Sequence, residues 1–109
     1  YIVCDEKTKE AMVIDPGGEI PKIVEMLDII EAKLKYIILT HCHADHTNGV
    51  RKLRELKGGK ILISRDDAPG LEKPELNLCE YINADNRYDK IRSAVKTKNL
   101  ICKIRFFML

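Results

Sequence analysis

The chain of 109 residues has no tryptophan, few aromatic side chains and no long apolar run. A helix that spans a bilayer needs about 20 consecutive apolar residues. The first ten residues also lack the basic region and the apolar core of a signal peptide. With 45% hydrophobic and 33% charged residues, the composition is that of a soluble globular domain. We therefore expect a cytoplasmic protein with one modest core and no membrane partner.

The four cysteines are widely spaced and form no C-x-x-C pair. Without such a pair, neither a zinc knuckle nor a redox-active disulfide is indicated. A disulfide framework is the less favoured alternative in a cytoplasmic chain. The sequence predicts free thiols at Cys4, Cys42, Cys79 and Cys102.

Positive charge is in the minority up to residue 83 and dominates afterwards. Residues 1–83 contain 12 Lys and Arg against 15 Asp and Glu, whereas residues 84–109 contain 7 against 2. The basic end has no clear apolar helix face and no regular interleaving of aromatic residues, so we expect no nucleic-acid partner.

Strand-like and helix-like segments alternate along the first two thirds of the chain. The segments YIVCD and EAMVID, separated by the polar EKTK, predict two antiparallel strands joined by a hairpin. Apolar residues at helical spacing from Ile20 to Leu34, with Pro21 in the first turn, predict an amphipathic helix.

The next segments repeat the pattern. KYIILT predicts a strand that is buried on both faces and ends at Thr40. Val50, Leu53 and Leu56 predict a second helix, which GGK terminates before a further strand, KILIS. The resulting order is ββαβαβ, which indicates an α/β fold.

All three histidines lie in THCHADH, directly after the predicted strand KYIILT. Open α/β folds bind ligands at the carboxyl ends of their strands. Residues two apart in an extended chain point to the same side, so His41 and His43 can converge on one metal ion. Where the chain then turns, Asp45 and His46 add adjacent oxygen and nitrogen donors, and such ligands suit zinc. A lone H-x-H is more often a surface pair, but three imidazoles with a carboxylate favour a metal site.

At these residues the chain resembles a known family. THCHADHTNG is similar to the T-H-x-H-x-D-H motif of the metallo-β-lactamase superfamily. YIVCDEKTKEAMVIDPGG resembles the first strands and the D-P-G-G loop of its glyoxalase II-like (hydroxyacylglutathione hydrolase-like) members, and DDAPGLEKPELNL resembles a later segment. The resemblance covers residues 1–83 and implies the N-terminal half of an αββα sandwich.

The resemblance also implies roles for individual residues. The residues that match His41 and His43 bind a first metal ion, and those that match Asp45 and His46 bind a second. Asp45 would also orient the attacking water, which makes it the catalytic residue. Asp15 matches an aspartate that supports the metal site without binding the metal, although a D-P-G-G turn with no further role is the alternative. Thr40 matches a residue that orients the histidine loop.

The implied function is zinc-dependent hydrolysis with two zinc ions, iron and manganese being alternatives. The implied substrate is a small molecule such as a glutathione thioester. The family draws further ligands from its second half, yet this chain has no histidine after His46. The alternative interpretation is therefore a non-catalytic remnant, which binds metal weakly or is merely folded. We expect a truncated chain that is inactive alone and self-associates through exposed apolar surface, with residues 84–109 as a divergent, frame-shifted basic tail.

Overall fold

Four strands form one sheet in the computed structural model, which describes residues 1–73 and Leu76. The strands are β1 (Ile2–Cys4), β2 (Glu10–Ile14), β3 (Lys33–Ile38) and β4 (Lys60–Leu62). The helices are α1 (Ile20–Ile29), α2 (Ala44–Thr47) and α3 (Val50–Lys57), followed by a 3₁₀ turn at Ala68–Glu72. The boundary predicted after residue 83, the basic tail, Cys79 and Cys102 lie outside the described residues.

The predicted hairpin is confirmed, because β1 and β2 pair in antiparallel register. Its turn is closed by Asp5, whose Oδ1 atom accepts hydrogen bonds from the amides of Thr8 at 2.7 Å and Lys7 at 2.9 Å. Side chains of aspartate commonly close turns in this way. The amide and the hydroxyl of Thr8 lower the pKa of Asp5, and the Lys7 amide adds to their effect.

Strands β2, β3 and β4 are parallel neighbours, and helices connect each pair. Right-handed crossovers that run in one direction along a sheet place their helices on one face. The contact between α1 and α3 agrees with this arrangement, as does the packing of α3 on β3. The core between sheet and helices contains Val13, Leu27, Leu34, Ile37, Leu39, Val50, Leu53, Ile61 and Ile63. Both helices therefore cover the same face of the sheet.

The third strand carries one extra residue relative to its neighbour. Ala11 pairs with Leu34, but the next residue of β2, Met12, pairs with Tyr36, so Lys35 is the bulged residue. Because of this bulge, Leu34 and Ile37 both face the helices although they are three residues apart.

Three features of the structure differ from the prediction. The first helix ends at Ile29, and Leu34 belongs to β3, because the chain turns at Glu31 with a left-handed backbone (φ 54°). The sequence also gave no sign of the one-turn helix α2. The strand predicted for KYIILT ends at Ile38 and not at Thr40. It is fully buried at Ile37, but Tyr36 and Ile38 on the opposite face are only half-buried, so the predicted burial on both faces holds for one face.

No helix in the described part of the chain has the length and hydrophobicity that a membrane span requires.

Candidate metal centre

Two loops at the carboxyl edge of the sheet build the site. The first follows β2 and contains Asp15; the second follows β3 and contains Thr40, His41 and His43. Parallel pairing of β2 and β3 holds these strand ends side by side. Helix α2 then carries Asp45 and His46. All six candidate residues predicted from the sequence consequently lie at one edge of the sheet.

Two glycines let the loops approach each other. A Cβ atom on Gly17 would lie 1.6 Å from the carbonyl oxygen of Asp45, and one on Gly49 would lie 2.3 Å from the carbonyl oxygen of Pro16. The amide of Gly49 donates to that Pro16 oxygen at 2.8 Å. The D-P-G-G segment thus packs directly against the backbone of the histidine loop.

Asp15 joins the two loops through its carboxylate. Its Oδ1 atom accepts the amide of Thr40 at 2.8 Å, and its Oδ2 atom accepts the hydroxyl of Thr40 at 2.6 Å. Residue 15 has a left-handed backbone (φ 50°), a conformation that aspartate tolerates better than most residues. Asp15 therefore does more than close a turn.

The Thr40 hydroxyl also fixes the tautomer of His41. Its one hydrogen is donated to Asp15, so it can only accept a hydrogen bond from the Nδ1 atom of His41, which lies 2.9 Å away. The hydrogen of the neutral imidazole is thereby held on Nδ1. The Nε2 atom of His41 keeps its lone pair for a metal ion.

Asp15 orients His46 by a direct contact. The Nδ1 atom of His46 lies 3.2 Å from Asp15 Oδ2, and its Nε2 atom lies 3.3 Å from Asp45 Oδ2. A hydrogen on Nδ1 satisfies Asp15 and leaves the Nε2 lone pair facing the carboxylate of Asp45. A cation bound by both atoms would remove that repulsion.

The electrostatics of Asp15 follow from these contacts. Burial of the carboxyl raises the pKa of Asp15, but hydrogen bonds from the hydroxyl and the amide of Thr40 outweigh burial. The ring of His46 adds to their effect, and the pKa lies below its ordinary value. Asp15 is thus a carboxylate that accepts hydrogen bonds at both oxygens.

The ligand atoms fit a zinc ion. Those of His41, His43 and Asp45 lie within 4.8 Å of one another, and so do those of Asp15, His41 and His46. Two ligands of a tetrahedral zinc with bonds of about 2.0–2.1 Å are about 3.3 Å apart. The separation of Asp45 and His46 has this value. The imidazole rings of His41 and His43 are also adjacent, with their centroids 4.7 Å apart.

Cys42 lies between two candidate ligands but is turned away from them. It is buried, and its sulfur packs closely on Gly70. A Cβ atom on Gly70 would lie only 2.3 Å from that sulfur. Burial raises the pKa of its thiol, and the negative charge of Asp67 adds to this effect. Cys4 and Cys42 are both free, as predicted.

Sequence reasoning missed the two glycines that dock the loops. Gly17 and Gly49 belong to the quoted segments DPGG and THCHADHTNG, but nothing in their spacing shows which backbone they approach. The two loops follow neighbouring parallel strands, so an expected close approach between them could have drawn attention to Gly17.

Comparisons with known proteins agree with this geometry. Residues 1–96, which include the whole histidine loop, fit the family model described as "Metallo-beta-lactamase superfamily". The match extends past residue 83, and the boundary proposed there stays a prediction.

Three curated relatives share the N-terminal region. The chain is 37% identical over 67 residues to the probable polyketide biosynthesis zinc-dependent hydrolase PksB of Bacillus subtilis, covering 62% of this chain and 30% of that protein. It is 36% identical to the hydroxyacylglutathione hydrolase GloC of Haemophilus influenzae, covering 53% and 27%. It is 39% identical to the human mitochondrial persulfide dioxygenase ETHE1, covering 60% and 26%. The chain thus spans less than a third of the length of these relatives.

The fold also matches a solved structure, that of the BLEG-1 B3 metallo-beta-lactamase. The TM-score is 0.66 at 28% identity, over 72% of this chain and 37% of that one. The family model matches most of the sequence, and the chain belongs to the metallo-beta-lactamase superfamily.

Proposed function

We propose that this chain carries the metal-binding loops of a zinc-dependent hydrolase whose substrate is a thioester of the glutathione class. The observation that carries the proposal is the convergence of His41, His43 and Asp45, whose ligand atoms lie within 4.8 Å of one another. The relatives named as zinc-dependent hydrolase and hydroxyacylglutathione hydrolase support the reaction class.

The donor set suits the metal. Two imidazoles and one carboxylate are a ligand set of catalytic zinc sites, which keep a further position open for water or substrate. Zinc bound there would supply a Lewis acid and lower the pKa of water at the open position. In the proposed two-ion site, His41 and His43 would hold one ion, and Asp45 and His46 the other.

The protein's own residues would fix the ligands before the metal binds. Thr40 holds the hydrogen of His41 on Nδ1, and Asp15 does the same for His46. Both imidazoles then present Nε2 to the metal without having to rotate. Asp45 would be both a ligand and the carboxylate that orients the attacking water. Because the thiolate that leaves a thioester needs little protonation, no separate general acid is required.

A second candidate is an iron-dependent oxygenase. Two histidines and a carboxylate are also the ligand set of non-haem iron(II) oxygenases, and the group of His41, His43 and Asp45 has that composition. The similarity to the persulfide dioxygenase ETHE1 favours this candidate. The alternative without catalysis, a folded fragment with weak metal affinity, stays open beside both.

Zinc binding is the first test. The four proposed ligands provide only two for each of two ions, whereas a stable zinc site has three or four protein ligands. We therefore expect the chain to bind zinc weakly and to release it to a mild chelator. Titration against a chromophoric chelator should show weaker binding for His41→Ala and Asp45→Ala. Asp66→Ala, which removes an exposed carboxylate after β4, is the matched control. Equal affinity in all four proteins would contradict the proposed ligands.

Turnover is the second test. With added zinc we expect no hydrolysis of a glutathione thioester by these 109 residues alone, since ligands that act as a unit lose most of their effect when some are missing. Hydrolysis that both His41→Ala and Asp45→Ala abolish would show that the chain is a sufficient enzyme. Oxygen consumption with iron(II) and a persulfide, in place of hydrolysis, would favour the oxygenase.

A further inference from the structure

A cavity of about 690 Å³ adjoins the candidate metal centre. Residues of the loop after β2, the start of α1 and the edge strand β1 line it, and Asp45 and His46 are also among its lining residues. Ile2, Ile14 and Ile23 are among its apolar walls. Its volume lies within the range of small-molecule binding sites, which are about 300–1,000 Å³.

The charges around the cavity restrict what it can hold. Its lining includes the carboxylates of Asp15, Glu19 and Asp45. Among the lining residues that the structure describes, Lys22 has an ammonium group that already pairs with Glu19 at 2.6 Å. The N-terminal ammonium group of Tyr1 donates to the carbonyl oxygen of Ile14 at 3.0 Å. A carboxylate or phosphate group in the apolar part of the cavity would lie near the carboxylates of Asp15 and Glu19 and would find no unpaired lysine. An uncharged apolar group meets no such penalty.

The position of the cavity relates it to the reaction. Since Asp45 and His46 are among the lining residues, a group that fills the apolar part lies next to the candidate metal centre. An acyl chain attached to a reacting carbonyl has this shape, with an apolar body and one polar end. Met26, which lines the cavity while 46% of its surface stays exposed, lies at the boundary with solvent.

We infer that this cavity binds the uncharged alkyl part of the acyl group, so that the substrate is a thioester of an apolar acyl chain. The inference rests on the proposed thioester hydrolysis and specifies its substrate class. Each methylene group that enters the cavity should tighten binding about fourfold, the equivalent of burying one CH₂ group.

Binding of thioethers tests the inference without turnover. S-methyl-, S-butyl-, S-hexyl- and S-octylglutathione have an alkyl group in place of the acyl group and cannot be hydrolysed at a carbonyl. Calorimetry with the full chain should show dissociation constants that fall with alkyl length. Met26→Trp and Ile23→Phe, which add volume inside the cavity, should abolish this dependence. Ile29→Trp is the matched control, because Ile29 lies one turn further along α1, is 68% exposed and does not line the cavity.

The outcomes separate this inference from the proposed function. A dissociation constant that does not change with alkyl length overturns the inference, even if the protein hydrolyses thioesters. A length dependence that persists in both Met26→Trp and Ile23→Phe also overturns it, because the alkyl group then binds elsewhere. A length dependence that only these two variants lose supports the cavity as the binding site, whether or not hydrolysis is found. Thermal unfolding of each variant establishes that it is folded. Of the two cavity variants, Met26→Trp should disturb the core less, because Met26 is exposed to solvent.

Discussion

The hydroxyl of Thr40 lies 2.6 Å from Oδ2 of Asp15, a residue 25 positions earlier in the chain. Through the Thr40 hydroxyl, this contact connects the carboxylate of Asp15 to the Nδ1 atom of His41. Replacing Thr40 with valine keeps the shape of the side chain but removes the hydroxyl. We expect Thr40→Val to weaken zinc binding by about 10–100-fold, the usual effect of losing a group that orients a metal ligand.

The matched control for this substitution is Thr40→Ser, which keeps the hydroxyl and should bind zinc as the unmodified chain does. Competition with a chromophoric chelator measures both variants. Equal zinc affinity for Thr40→Val and the unmodified chain would mean that the hydroxyl does not orient His41.

Gly17 should tolerate no side chain, whereas its neighbour should. A Cβ atom on Gly17 would overlap the carbonyl oxygen of Asp45, while one on Gly18 would meet no atom within 4 Å. We expect Gly17→Ala to lower the free energy of unfolding by about 1–3 kcal/mol, as overpacking does, and to displace Asp45 from the site. Gly18→Ala should leave stability unchanged or raise it by up to about 1 kcal/mol. Urea unfolding of the two variants checks this, and similar losses in both would show that the loops do not pack as described.

The hairpin turn should make stability depend on pH through Asp5. Hydrogen bonds from the amide and the hydroxyl of Thr8, together with the Lys7 amide, lower the pKa of Asp5. A carboxyl group with a lowered pKa stabilises the fold above its unfolded pKa of about 3.9. That contribution is lost as the pH falls through the folded pKa.

Asp5→Ala should therefore be less stable than the unmodified chain at pH 7, and the difference should shrink below about pH 4. Glu6→Gln, an exposed neighbour in the same turn, is the control and should not reproduce the effect. Urea unfolding at several pH values measures it. A difference between Asp5→Ala and the unmodified chain that stays constant from pH 7 to pH 3 would contradict the role of the ionised carboxylate.

The two cysteines of the described region should differ in reactivity. Burial and the charge of Asp67 raise the pKa of Cys42, so little thiolate is available to an alkylating reagent. Cys4 is only half-buried. We expect iodoacetamide to modify Cys4 at least about tenfold faster than Cys42 in the folded protein. In urea the two rates should become similar. Mass spectrometry of the two peptides over time provides the rates, and rapid modification of Cys42 in the folded chain would show that its thiol is accessible.

The order of strands and helices could be predicted because each longer element has a clear hydrophobic period. The one-turn helix that carries Asp45 and His46 could not, since four residues are too few to show a period. The end of α1 was placed wrongly because Leu34 falls at helical spacing after Ile30 by coincidence. The turn at Glu31 separates the two residues, and only the pairing of Leu34 with Ala11 reveals its strand.

The residues of the candidate site also differ in how far the sequence could predict their positions. His41, His43, Asp45 and His46 are close in sequence, so their convergence could be predicted from spacing. The hydrogen bonds between Asp15 and Thr40 depend on the parallel pairing of β2 with β3. That pairing is a long-range property, which no local pattern specifies, and the sequence alone supplied Asp15 only through resemblance.

The bulge at Lys35 determines how the chain can tolerate a change in its length. Lys35 is the extra residue of the bulge, so deleting it would leave Leu34 and Ile37 two residues apart on the same face, as in a regular strand. Ile37 would stay opposite Val13 in the core, and Thr40 would keep its place beside Asp15. A deletion after Ile38, beyond the last paired residues of β3, would instead shift Thr40 relative to Asp15. The loss of the single codon for Lys35 should therefore leave every ligand of the candidate metal centre in place.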